Sequence, residues 1–160
     1  MRNLKVVETD ARVAKQLGLD PGEPVVLLER LRIVDEQPWA LSVSHLSHYM
    51  VPGLEREDLG DQSLCALLER RYGVRLDRGR RSVGAILAAE PLSQSLGVAV
   101  GAPLLELRSL SVDTAYRPVE TFVAYHRGDR SRFDVDLVRE SPRPTRPTMV
   151  LTPPEPLSTV

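Results

Sequence analysis

Arg30 and Arg32 are the residues of this chain best suited to chemistry. They stand two apart in the apolar run VVLLERLRIV, Val25–Val34. If that run is a strand, its period of two places both guanidinium groups on one face, in line with Val26 and Leu28. Two like charges side by side on a half-buried face repel each other and are costly to desolvate. They become favourable when that face meets an anion, since a guanidinium presents a fork of donors to a carboxylate or phosphate. Two plainer readings stand beside this one: a solvated strand face, or pairing with Glu29 or Glu120.

Other candidates are weaker. His45 and His48 lie at the end of a strand without a cysteine or carboxylate cluster, so no metal is expected there. The arginines at 70, 71, 75, 78, 80 and 81 form a basic run without interleaved aromatics, which favours a solvated face over a nucleic-acid surface. Cys65 falls within a helix beside core leucines and reads as a small buried hydrophobe.

The arginine strand belongs to a longer stretch, Leu17–Ser47. It reads as a helix end, a Gly/Pro corner, a strand, a polar turn over Asp35–Pro38 and a returning strand. On the return, Trp39, Leu41 and Val43 alternate with Ala40, Ser42 and Ser44. The design recurs: LGLDPGEP (Leu17–Pro24) is echoed by LGVAVGAP (Leu96–Pro103), with Leu, Gly, Gly and Pro in register. Each echo leads into an apolar strand, a polar turn ending in Pro38 or Pro118, and a second alternating strand. Two helix–strand–strand units imply a pseudo-symmetric sheet with a pocket between them, and are too few for a solenoid.

The remaining elements follow from local signals. Asn3–Glu8 reads as a leading strand. Asp10 is placed to cap a helix over Ala11–Leu17 that Gly18 ends. Tyr49–Leu59 reads as a loop with one helical turn. Ser63 caps a helix carrying Leu64, Leu67, Leu68 and Tyr72, which Gly73 ends. Leu76–Gly79 leads to a strand near Ser82–Ala88, and Pro91 opens a short helix with Leu92 and Leu96. Strands are expected at Leu104–Val112, Val119–Arg127 and Phe133–Val138. Six prolines within Ser141–Val160 predict a disordered tail that contributes little to the core. Short helices among hairpin-linked strands give an α+β fold around an antiparallel sheet.

Composition narrows the functional classes. The chain has 160 residues, the length of one domain with a real core. A net charge of −1 gives no support for nucleic-acid binding by this chain alone. Its single cysteine excludes an internal disulfide and suits a cytoplasmic location. No apolar run reaches the ~18 residues of a membrane span, and the polar N-terminus is not a signal peptide.

The order of motifs resembles the UTRA domain, the effector-binding half of HutC-type regulators in the GntR family. The resemblance rests on LGL…PVVLLERLR…QPWALS, then SLCALLERRYGV, LGV…GAPLLEL, RPVE and HRGDR, and covers about Ala11 to Val138. It implies a chorismate-lyase-like fold and a sensing domain over residues 1–140. It also implies a small anionic metabolite as ligand, no cofactor, a homodimer, and control of DNA through a winged helix-turn-helix domain. That winged domain is expected to be absent here, since Met1 falls almost at the first residue of the resemblance.

By the same resemblance, Arg30 and Arg32 match paired arginines that contact the anionic part of the ligand. Glu120 matches a carboxylate that holds ligand hydroxyls or an amine. Ser63 lies where a hydroxyl and helix-start amides are offered. The chain also departs from the family pattern. Ser42 stands in place of a glutamate, His126 in place of a tyrosine, and Ser131 in place of an aromatic residue after Gly-Asp-Arg. These changes point away from a phosphosugar toward an anion of another kind. Two alternatives accompany the regulator reading: an enzyme of the chorismate-lyase type acting on an anionic substrate, and a stand-alone module that dimerises with full-length regulators.

Overall fold

The computed structural model describes residues 1–60 and 62–134. Its three α-helices are short and locally specified. In α1 (Ala11–Leu17), the Asp10 carboxylate accepts the Val13 N–H at 2.7 Å, and Gly18 ends the helix in the left-handed region at φ 68°. In α2 (Leu64–Tyr72), Ser63 Oγ accepts the Ala66 N–H at 3.5 Å, and Gly73 takes φ 64°. The third helix, α3 (Glu90–Leu96), starts at Ala89 with no side-chain cap and has proline in its first turn. A 3-10 turn spans Leu54–Arg56.

Six strands form one antiparallel sheet: β1 (Asn3–Glu8), β2 (Pro24–Val34), β3 (Gln37–Ser47), β4 (Leu76–Leu87), β5 (Pro103–Asp113) and β6 (Pro118–Arg127). Their spatial order is β1-β2-β3-β6-β5-β4. The hairpins β2–β3 and β5–β6 therefore meet in the middle, where Val43 lies opposite Val123. This is the pseudo-symmetric arrangement that the two echoed stretches imply.

The two faces of the sheet are covered differently. On one face, α2 and the 3-10 turn bury Leu54, Leu64, Leu67 and Leu68 against Val26, Leu28 and Leu46. On the other, α1 packs Val13 and Leu17 on Val25 at one end. At the opposite end of that second face, α3 places Leu96 with Leu41, Ala88 and Leu104. Alternation along each strand sends one set of side chains to α2 and the other to α1 and α3.

Four sequence expectations need correction. The first turn is shorter than Asp35–Pro38: only Asp35 and Glu36 lie between β2 and β3, both at positive φ (49° and 61°), as a two-residue hairpin demands. One strand, β4, covers both Leu76–Gly79 and most of Ser82–Ala88, because β5 pairs with it along its whole length. Phe133 and Asp134 are not in a strand, and the rest of Phe133–Val138 lies outside the described residues. Cys65 is exposed rather than buried, because α2 turns Leu64, Leu67 and Leu68 inward and leaves position 65 open to solvent. The tail Ser141–Val160 also lies outside the described residues.

Candidate ligand-binding site

Strand register assembles the site. Arg30 lies opposite Ser42, and Arg32 opposite Ala40. Across the sheet centre, Ser42 faces Ala124, Ala40 faces His126 and Leu46 faces Glu120. Arg30, Arg32, Ser42, Glu120 and His126 therefore share the face that carries α2. Arg30 and Glu120 reach it from β2 and β6, with β3 between them and four residues apart in register, and each acts on the other electrostatically. Ser63 caps α2 on that same face. The first turn of α2 also brings Cys65 close enough to Arg30 to act on it electrostatically. All six residues singled out from the sequence thus belong to one side of the sheet.

The plainer readings describe the arginine pair only in part: Arg32 is exposed, as on a solvated face, while Arg30 is partly buried. Glu29 points to the opposite face, where it meets Arg2 at 3.8 Å and accepts from Asn3 Nδ2 at 2.8 Å. Among the described residues, no carboxylate lies within ion-pair distance of Arg30 or Arg32. Burial makes the Arg30 proton easier to lose than usual, and Arg32 beside it adds to that, while Glu120 opposes both. Arg30 is partly buried and Arg32 exposed, so the electrostatic cost of the pair in the empty domain falls on Arg30.

Glu120 is buried, with only 9% of its surface exposed. Burial pushes its carboxyl above the ordinary range, while the Ser44 hydroxyl and the Arg30 and Arg81 guanidinium groups pull it back. Ser44 and Arg81 were not among the residues singled out from the sequence. Arg81 comes from β4 through Ser109, which follows only from the β4–β5–β6 register. A recess of about 340 Å³ opens over β4 and β5, bordered by Asp77, Arg81, Ser109 and Ser111.

At the Arg32 end the chemistry becomes aromatic. His126 stands edge-on to both Trp39 and Phe133, with ring centroids 5.1 Å away in each case. Its Nδ1 is buried without a hydrogen-bond partner. Burial and the nearby Arg32 charge keep the imidazole neutral to lower pH than usual. The Trp39 indole N–H donates to the Arg130 carbonyl at 3.1 Å, tying the loop after β6 to the start of β3. Ser42 is less available, because its hydroxyl donates to the Arg30 carbonyl at 3.5 Å. Ser131 also lies beyond β6, and its Oγ is buried without a partner.

The other sequence candidates fall elsewhere. His45 projects to the opposite face and His48 faces Glu55 at 3.7 Å, so they do not converge. Among the described residues, no group of three or more potential metal ligands is found. Arg70 donates to Gln62 and Arg71 pairs with Glu57, while Arg78 pairs with Asp77 and lies over the Tyr116 ring, as a solvated face would.

A family model described as the UTRA domain matches residues 2–132 of this chain. The chain belongs to the UTRA domain family. It is 33% identical over 134 residues to the HTH-type transcriptional regulator Rv0792c of Mycobacterium tuberculosis, covering 82% of this chain and 49% of that protein. Among solved structures, it is similar to the effector domain of PhnF from Mycobacterium smegmatis. There the identity is 26% and the TM-score 0.80, over 86% of this chain and 85% of that one. A further match is to a chain described as the ligand-binding domain of a GntR-family transcriptional regulator from Bordetella bronchiseptica. It is 25% identical with a TM-score of 0.78, over 85% and 87% of the two chains. The kinship of this UTRA domain is thus with effector-binding domains of GntR-family transcriptional regulators. The chain spans about half the length of the curated relatives it matches. Among the described residues of the UTRA domain, no helix is long and apolar enough to cross a membrane.

Proposed function

We propose that this UTRA domain is the sensor of a HutC-type bacterial regulator, recognising a small anionic metabolite on the α2 face of its sheet. In this reading Arg30 and Arg32 bind the carboxylate or phosphate of the ligand. Glu120 takes its hydroxyls or amine, and Ser63, Ser42 and His126 border the rest. The domain works as a cytoplasmic homodimer without a cofactor, and ligand occupancy controls DNA binding by an attached or partner winged-helix domain. The observation that carries the reading is the arginine pair on one face with, among the described residues, no carboxylate within ion-pair distance of either. An anion that bound there would relieve its repulsion and replace lost solvation. Kinship with regulators favours sensing over catalysis by a shared fold.

The test is a thermal-shift screen of carboxylate and phosphate metabolites on wild type, Arg30→Ala and Arg32→Ala. A charge-assisted contact is worth ~1.5–3 kcal/mol, so each alanine is expected to weaken binding by about 10- to 150-fold. Lysine restores only part of this, because an ammonium lacks the planar fork. Stabilisation by anions that is undiminished in both alanine variants would place the pocket elsewhere and overturn the reading.

A further inference from the structure

We propose that the opposite face of the sheet holds a second site, for a small organic anion with an apolar body, seated between α1 and the β4 edge. The strand register builds it. His45 lies opposite Thr121, Thr121 opposite Leu110 and Leu110 opposite Arg80, one row of side chains across four strands. Above that row lies α1, whose Arg12 sits near enough to His45 to depress its protonation. The result is a recess of about 260 Å³ walled by Arg12 and Arg80 and floored by Val43 and Val123.

Three features give the recess its ligand chemistry. Among the described residues, neither Arg12 nor Arg80 has a carboxylate within ion-pair distance. The Thr121 hydroxyl donates to Gln16 Oε1 at 2.7 Å, which anchors α1 to the sheet and leaves the Gln16 amide hydrogens as donors. Burial and Arg12 favour a neutral His45 despite the opposing pull of Asp10, so the imidazole adds a hydrogen-bonding group rather than a fixed charge. Cationic walls with polar donors select a carboxylate or phosphate head, while the valine floor selects an apolar body. The recess is separate from Arg30 and Arg32, which point through the other face. Both faces hang from the same central strands: Ser44 and Glu120 point one way, His45 and Thr121 the other.

The experiment titrates the chain with benzoate, phenylphosphate and inorganic phosphate, following arginine side-chain N–H resonances by NMR and the thermal midpoint. Benzoate or phenylphosphate is expected to saturate with Kd below ~10 mM, shifting Arg12 and Arg80 signals, and to bind more tightly than inorganic phosphate. Arg12→Ala and Arg80→Ala should each weaken that binding about 10-fold or more, read from the side-chain signals of the arginine that remains, whereas Arg30→Ala should leave the Arg12 and Arg80 signals responding as in wild type. No saturation by either organic anion, saturation that survives both variants, or loss only in Arg30→Ala would overturn the proposal. Equal binding of inorganic phosphate would remove the apolar-body requirement and overturn it as stated. Sedimentation of the same variants should show an unchanged assembly. Dissociation on losing Arg12 or Arg80 would show that a second copy fills the recess, and would also overturn it.

Discussion

Six and eight residues after the proline that opens β2 stand Arg30 and Arg32. Six and eight residues after the proline that opens β5 stand Ser109 and Ser111. Two residues after Pro38 is Ala40; two after Pro118 is Glu120. The two halves of the molecule, α1-β2-β3 and α3-β5-β6, share one backbone plan, with matching Gly18 and Gly97 helix ends and matching hairpins. Their equivalent positions on the α2 face nonetheless carry different chemistry. The first half supplies the paired arginines, the second the carboxylate, both supply serine hydroxyls, and the β3–β6 seam joins them. A duplicated frame therefore positions the site, while a few unmatched side chains decide what it can hold.

Cover also separates the halves. Leu28 lies under α2 in the main core, and its counterpart Leu107 is buried without belonging to that cluster. Leu28→Ala is expected to cost about 3–5 kcal/mol and Leu107→Ala about 2 kcal/mol, read from urea unfolding midpoints. Equal costs would show that α2 is not what distinguishes the halves.

The next effect concerns Glu120, which has no acidic counterpart in the first half. Its carboxyl is raised above the ordinary value of 4.5 in the folded state. Folding therefore favours its protonated form, and that contribution, full below the unfolded value, is lost as pH rises through the folded value. Glu120→Gln, which cannot ionise, is expected to gain stability relative to wild type over that rise, measured by denaturation at a series of pH values. The reverse slope would show that Arg30 and Arg81 outweigh burial.

The smallest difference lies at the helix starts. Asp10 caps α1 with its side chain, whereas Ala89 leaves α3 uncapped in the same extended geometry. Asp10→Ala should cost about 1 kcal/mol, and Ala89→Asp should gain about 0.5–1 kcal/mol. If Ala89→Asp gains nothing, the proline in the first turn of α3 already supplies what the cap would add.

Much of this was legible in the chain itself, for identifiable reasons. The bounds of α1, the caps at Asp10 and Ser63 and the glycine stops rest on hydrogen bonds within a few residues. The common face of Arg30 and Arg32 needs only the period of a strand. The turn at Asp35 and Glu36 was read too long because Gln37 and Pro38 look like turn residues, and their pairing with Val34 and Ile33 decides otherwise. Cys65 was misread because helical spacing names the buried leucines but does not say which flank between them faces solvent.

What only the tertiary structure decided is which distant strands lie side by side. The pairing of β3 with β6 joins residues some eighty positions apart, and no local preference encodes that register. Through it Glu120 reaches the arginine face, and through the β5–β4 pairing Arg81 joins it. The aromatic contacts of His126 with Trp39 and Phe133, and the recess beneath α1, arise in the same way. The amino-acid sequence by itself determined the elements and the charge of one strand, because those depend on neighbours along the chain. The partners of that charge depend on which surfaces the packed hydrophobic core brings together, and so belong to the fold.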